Sequence, residues 1–257
     1  NVIPLLETEH LNRADVVQLQ KMQPDLFVLA SFGKILPKAI LDIPKKGTLN
    51  AHPSLLPKYR GPSPVQETIL QGEKQTGVTI MEMDEKVDHG PIVAQEVFKE
   101  SIGELTTAEL KAKLADLGGN LLVKSIPLWV KGELKAVPQA EKEATLTKII
   151  EKKDGKIDWN KEALYIARQI RAFDPWPGTY TAFQGKTLKI LKGRAEDVST
   201  HFTPPPPGTV IPSKEGFSVV TGKGMLWVEK LQMEGKNPVS SKDFLLGHKD
   251  FLGTTLS

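Results

Sequence analysis

Residues 24–37 read PDLFVLASFGKILP, and the five apolar residues Leu26 to Ala30 inside them decide the fold class. A short continuous apolar run, opened by Pro24-Asp25 and closed by Ser31-Phe32-Gly33, predicts a strand buried on both faces in a parallel sheet. Outward from it, Gly47 to His52 is a second short strand. Ser63-Pro64-Val65-Gln66 opens a helix, with Ser63 as N-cap, Pro64 in the first turn and Gln66 closing a capping box; Gly72 stops it. Val78 to Met83 and Ile92 to Phe98 flank the loop Asp84–Gly90 closely enough to form a hairpin. Thr106-x-x-Glu109 is another capping box, followed by Leu110, Leu114, Leu117 and Leu121 at helical spacing. Strands alternating with helices predict an α/β domain of Rossmann-like type over residues 1–137.

Residues 138–155 lose this periodicity, carry many charges and read as a linker. Beyond them, Asn160 to Phe173 reads as a helix with Leu164, Ile166, Ala167 and Ile170 inward. After Pro175-Trp176-Pro177-Gly178 come short strands: Tyr180–Phe183, Thr187–Leu191, Phe217–Thr221 and Met225–Leu231. Gln184-Gly185, Ser213–Gly216 and Gly222–Gly224 supply the turns. Residues 156–257 are therefore expected to form a small OB-like β-barrel, with Pro204–Pro207 a stiff polyproline connection across one end.

The 257 residues include no cysteine, which removes disulfides, thiolate nucleophiles and cysteine-held metals. No apolar run approaches the roughly 20 residues needed to cross a bilayer, so no membrane partner is expected. The net charge of +3 conceals an asymmetry. Residues 1–147 carry 17 Lys and Arg against 19 Asp and Glu, whereas residues 148–257 carry 17 against 12. The basic excess lies wholly in the C-terminal part, where it can serve as a solvated face or attract a polyanion.

Asn50 and His52 are two apart on a strand, so their side chains project from one face at its C-terminal end, where ligands bind in open α/β sheets. A histidine beside an amide donor suits stabilisation of an oxyanion together with proton exchange near neutral pH. A carboxylate to orient the histidine could come from the loop Asp84-Glu85-Lys86-Val87-Asp88-His89-Gly90. No cluster with metal-ligand spacing is evident, so no metal is expected.

NAHPSLLPKYRGPSPVQ (residues 50–66) followed by VDHGPIV (residues 87–93) resembles the paired motif of the 10-formyltetrahydrofolate-dependent formyltransferases. The flanking Gly77-Val78-Thr79-Ile80 strand agrees as well. The resemblance implies that Asn50, His52 and Asp88 form a catalytic trio. On this reading a protonated His52 and the Asn50 amide stabilise the oxyanion, while Asp88 keeps His52 charged by raising its pKa. His89 has no matching role. The resemblance places the folate, 10-formyltetrahydrofolate, against Phe32, Gly33, Lys34, Ile35 and Leu36, and against Ser54, Leu55, Leu56 and Pro57 in the proline-bracketed loop.

KIDW (156–159), IRAFDPWPG (170–178), LQMEGK (231–236) and DFLLG (243–247) resemble the C-terminal domain of those members that act on methionyl-initiator tRNA. The implied reaction is formyl transfer to the amine of that tRNA for translation initiation. Arg168, Arg171, Lys186, Lys189, Lys192 and Arg194 are the candidates for contact with its phosphates. A monomer in a bacterial cytosol or an organellar matrix is the expected form. A formyltransferase or hydrolase acting on an amino sugar or other small molecule is the alternative. Members of the family begin with a strand, a Gly-Thr-Pro-type turn and a basic insertion, none of which precedes Asn1. The chain is therefore expected to be the remainder of a longer enzyme, inactive and poorly soluble by itself.

Overall fold

The computed structural model describes residues 11–196 and 203–257. The expectation about the start of the chain falls on residues 1–10, outside the described ones. In chain order the elements are α1 (Arg13–Met22), β1 (Phe27–Ala30), α2 (Lys38–Leu41), β2 (Thr48–His52), α3 (Pro64–Gln71), β3 (Gly77–Glu82), β4 (Ile92–Val97), α4 (Thr107–Lys131), α5 (Ala163–Ala172), β5 (Thr179–Phe183), β6 (Lys186–Glu196), β7 (Val210–Ser213), β8 (Gly216–Val220), β9 (Met225–Met233), β10 (Val239–Ser240) and α6 (Ser241–Gly247). The chain divides into two compact units. One holds the residues up to Pro62 with Thr76–Phe98 and Leu114–Thr147; the other holds Ser63–Gln75, Lys99–Lys113 and Lys148–Ser257.

The first unit is built on a sheet in the order β1-β2-β3-β4. β1 runs parallel to β2, and the β2–β3 and β3–β4 pairings are antiparallel. The hairpin expected around Asp84–Gly90 is present, and Leu49, Ile80 and Met81 are fully buried at the centre of the sheet. β1 departs from expectation in one respect. Its only neighbour among the described residues is β2, and Val28 is 44% exposed, so the strand is not covered on both faces.

Local signals at helix ends had mixed outcomes. The capping box at α4 forms: the Thr106 N–H donates to the Glu109 carboxylate at 2.8 Å and the Glu109 N–H to Thr106 Oγ1 at 3.4 Å. At α3, Ser63 makes no side-chain capping bond. Its backbone sits at φ −132°, ψ 43°, away from the extended conformation of a capping residue, so the box through Gln66 does not close. Gly72 does end α3, in the left-handed region at φ 70°.

The second unit carries the antiparallel sheet β5-β6-β9-β8-β7, with β10 paired to β9. Its two edges are stitched by residues 254–257. The Val210 N–H donates to the Thr254 carbonyl, the Leu256 N–H to Gly208, and the Ala182 N–H to Ser257. The interior holds Phe183, Phe217, Phe244 and Phe251, with Phe251 edge-on to each of the other three rings. α5 begins at Ala163 rather than Asn160, and its buried stripe is Ala163, Ile166, Ala167 and Ile170. Leu164 lies off that stripe and is 53% exposed, contrary to expectation. β6 runs on to Glu196 across a register shift. β7 was not foreseen because Pro212 interrupts it, which an edge strand tolerates. Pro204–Pro207 lie outside any helix or strand.

Candidate active site

β2 delivers Asn50 and His52 to one face at its C-terminal end, with His52 4% exposed. The chain then turns through a loop tied down by hydrogen bonds and by the buried Leu56. Ser54 Oγ donates to the Lys58 carbonyl at 2.6 Å, and Thr79 Oγ1 donates to the Ser54 carbonyl at 2.7 Å. Thr79 Oγ1 in turn accepts from the Leu56 N–H at 3.0 Å and from Gln95 Nε2 at 2.8 Å. Leu56-Pro57 is cis, and Tyr59 sits at φ 62°. This route aims the Tyr59 carbonyl back at the ring, 2.9 Å from His52 Nε2.

Asp88 comes from the β3–β4 hairpin loop. One carboxylate oxygen accepts from the Gly61 N–H at 2.8 Å and lies 3.5 Å from His52 Nδ1; the other is 3.5 Å from Asn50 Nδ2. The structure thus brings together the three residues singled out as a catalytic trio. His89, next in sequence, lies between Asp84 and Glu141, with Nδ1 2.5 Å from one carboxylate and Nε2 3.4 Å from the other.

The partners decide where the protons are. A carbonyl oxygen only accepts, so His52 Nε2 carries a hydrogen and donates it to Tyr59. The exchangeable proton is therefore the one on Nδ1, the nitrogen facing Asp88. Burial pushes the imidazole below its usual range, and the Asp88 charge and the Tyr59 carbonyl pull it back without offsetting that. This differs from the expected standing imidazolium. Near neutral pH the ring is a neutral base whose protonated form has a carboxylate waiting beside it. The Asn50 amide beside it makes only a long contact with Asp88.

The segment Ser31–Leu36 leaves the sheet beside this group. In the β1–β2 register Ala30 is opposite Ala51, so the residues after β1 emerge at the same edge as His52. Phe32 is 45% and Ile35 76% exposed, nothing lies within 4 Å of where a Gly33 side chain would be, and Leu36 is buried. Phe32 and Leu36 also line an apolar cavity of ≈ 280 Å³ with Leu19, Val28 and Ile40. Exposed apolar groups with open space at Gly33 fit a flat heteroaromatic ring. Ser54 and Leu56, by contrast, are buried, with the Ser54 hydroxyl donating to Lys58 and the Leu56 backbone bonded to Thr79 on β3 and Gln95 on β4. Among the described residues no group of three or more His, Asp or Glu is placed to hold a metal ion, and no helix is long and apolar enough to cross a membrane.

In the second unit the basic candidates fall into separate groups. Arg168 and Arg171 line a cavity of ≈ 310 Å³ together with Lys74, and the Nε of each arginine is buried without a partner. Arg168 also reaches the Gln71 carbonyl at 3.5 Å, at the end of α3. Lys186 and Lys189 are exposed at the start of β6, and Lys189 borders a cavity of ≈ 510 Å³ with Lys152 and Tyr180. Lys192 and Arg194 share Glu229, and the Arg194 guanidinium lies 4.4 Å from the Trp227 ring centre. Lys152, Tyr180 and Lys74 were not singled out from sequence. Their only signal there was membership of charged or aromatic stretches.

Known proteins agree with this architecture. A family model described as "Formyl transferase" matches residues 6–126, and one described as "Formyl transferase, C-terminal domain" matches residues 149–249. The chain is 42% identical over 246 residues to the methionyl-tRNA formyltransferase of Roseiflexus castenholzii, covering 95% of this chain and 78% of that protein. It is 44% identical over 248 residues to that of Halalkalibacterium halodurans, covering 95% and 77%. Among solved structures, the methionyl-tRNA formyltransferase from Clostridium thermocellum shares the fold at a TM-score of 0.58 and 18% identity, over 72% of this chain and 79% of that one. With both family models matched in order along the sequence and relatives more than 40% identical over nearly the whole chain, the chain belongs to the methionyl-tRNA formyltransferase family.

Proposed function

We propose that this protein transfers the formyl group of 10-formyltetrahydrofolate to the amino group of methionyl-initiator tRNA, with Asn50, His52 and Asp88 as its catalytic groups. The observation that carries the reading is the arrangement of His52: one ring nitrogen is engaged by a backbone carbonyl, and the other is directed at Asp88. 10-Formyltetrahydrofolate supplies the formyl carbon, and Phe32, Gly33, Lys34, Ile35 and Leu36 form the surface against which its ring lies. Leu55 and Pro57 complete that surface from the loop after β2.

Each residue has a distinct task. Asn50 Nδ2 donates a hydrogen bond to the formyl oxygen as negative charge develops there. Its existing contact with Asp88 is long, so turning to the substrate costs little. His52 Nδ1 accepts the proton released by the attacking amine and returns one to the departing nitrogen, so the ring ends as it began. Asp88 stabilises the imidazolium between those two transfers. A pKa below the usual imidazole range suits this cycle, because the resting ring must be free of the second proton.

Arg168, Arg171, Lys186, Lys189, Lys192 and Arg194 supply phosphate contacts for the RNA, supported by the basic excess of residues 148–257. The bacterial sources of the relatives support a bacterial cytosol, or an organellar matrix, as the compartment.

The test is a formylation assay of the intact protein with 10-formyltetrahydrofolate and Met-charged initiator tRNA, alongside Asp88→Asn and His52→Ala. Wild type should produce formyl-methionyl-tRNA. Both variants should lose orders of magnitude in rate while retaining tRNA affinity. Consumption of folate without formylated tRNA would overturn the acceptor assignment; wild-type rates in the variants would overturn the trio.

A further inference from the structure

The stretch read as a linker from sequence reaches into the candidate active site. Val137 forms a two-way backbone bridge with Ile92, each N–H donating to the other's carbonyl at 2.8 Å. Continuing that antiparallel register by two residues places Gln139 opposite Gly90. The side chain of Gln139 is 8% exposed, and its Nε2 donates both hydrogens: to the Asp88 carbonyl at 2.9 Å and to the Gly90 carbonyl at 2.8 Å. Its Oε1 accepts from Arg60 Nε at 3.0 Å. Arg60 is itself 5% exposed, and its two terminal nitrogens bind both oxygens of Glu141, at 3.2 and 2.7 Å. These partners allow one orientation of the amide. A flipped Gln139 would set its oxygen against two carbonyls and its NH2 against the guanidinium.

The clamp acts on a backbone that needs it. Asp88 has φ 45°, a region in which a non-glycine residue costs free energy and persists only when its surroundings hold it. The peptide carbonyl at that position is what Gln139 grips.

We propose that Gln139, supported by Arg60, is a positioning residue for the reaction: it holds the Asp88 backbone in the conformation from which the carboxylate reaches His52. The inference rests on the reading of Asp88 as a catalytic group. Arg60 lies within the motif after His52, and Gln139 lies about fifty residues beyond the hairpin loop. The clamp therefore ties the two motif segments together through a third.

Two substitutions separate positioning from simple structural support. Gln139→Glu keeps an acceptor for Arg60 and the shape of the side chain but replaces both donors with an acceptor. Gln139→Met removes the polar atoms at similar volume without adding charge. In each, kcat is expected to fall about 10²-fold, as for an ångström-scale displacement of a reacting group. KM for both substrates should stay within about twofold, since neither is bound by Gln139. The limb of the kcat–pH profile governed by His52 should move to lower pH as the carboxylate recedes. Added to Asp88→Asn, either change should cost little further activity, because the group it positions is already gone.

The inference is overturned if the loss merely tracks the folded fraction in thermal melts with an unmoved pH profile, or if it adds in full to that of Asp88→Asn. Should Asp88→Asn alone retain wild-type rates, the catalytic reading beneath the inference fails instead. Collapse in Asp88→Asn together with wild-type kinetics in both Gln139 variants would remove the clamp and leave the trio standing.

Discussion

Thr79→Val tests how the loop after β2 is held. Thr79 is fully buried, and its hydroxyl makes three hydrogen bonds: it donates to the Ser54 carbonyl and accepts from the Leu56 N–H and from Gln95 Nε2. Valine has nearly the same shape, so no cavity opens and the hydroxyl alone is removed. Gln95 keeps its bond to the Leu56 carbonyl, whereas the Leu56 N–H and the Ser54 carbonyl are both deprived of the threonine oxygen. Stranding a buried polar group costs about 1–3 kcal/mol, so the pair should cost about 2–6 kcal/mol. At about 2–4 °C per kcal/mol for a chain of this size, the unfolding temperature should fall by roughly 4–24 °C. Differential scanning calorimetry of the intact protein reads this directly. Thr79→Ser is the control: it keeps the oxygen and removes one methyl, about 0.8 kcal/mol. If Thr79→Val melts with wild type, or if Thr79→Ser falls as far as Thr79→Val, the hydroxyl is not what anchors the loop.

Further outcomes follow from the same geometry. Folded His52 binds a second proton less readily than the unfolded chain, where it titrates near 6.5, so its contribution to stability is full above that pH and is lost as pH falls through it toward the folded value. Melting temperatures should drop between about pH 7.5 and about pH 5.5, and less so in His52→Gln; equal drops would refute the assignment. Gly90→Ala would drive its new Cβ into the Glu82 carbonyl, which cannot yield without moving the loop that carries Asp88. Formylation should therefore fall by more than the melting temperature predicts, and an active, stable variant would show the loop to be adaptable. Lys186→Glu with Lys189→Glu should weaken tRNA binding and flatten its salt dependence by about one log–log unit for each phosphate that is no longer neutralised. Filter binding across a salt series decides it, since an unchanged slope would place the RNA elsewhere.

Much of the fold was legible wherever a local rule suffices. An apolar run located β1, the Thr106–Glu109 pair announced α4, and Gly72 ended α3. Errors arose where a neighbour overrides local preference. Leu164 has helical spacing but misses the stripe set by the actual start of α5, and Ser63 fits an N-cap by type but not by backbone angle. At the site, the spacing of Asn50 and His52 gave their common face. What sequence could not give is the proton arrangement, which depends on a carbonyl turned inward at a left-handed Tyr59, and on burial outweighing Asp88. Gln139 escaped notice because its partners lie 49 to 79 residues away and its own segment lacks periodicity.

The alternation along β6 has a consequence for how such a protein can diverge. Leu188, Ile190 and Gly193 face the interior and answer to its packing, whereas Lys186, Lys189, Lys192 and Arg194 are exposed, the last two sharing Glu229 on the neighbouring strand. Mutation can therefore redraw the charge pattern on one side of the strand while the other side goes on specifying the fold. The charge carried on the outer side and the packing that holds the sheet together are separately heritable traits, carried by neighbouring residues.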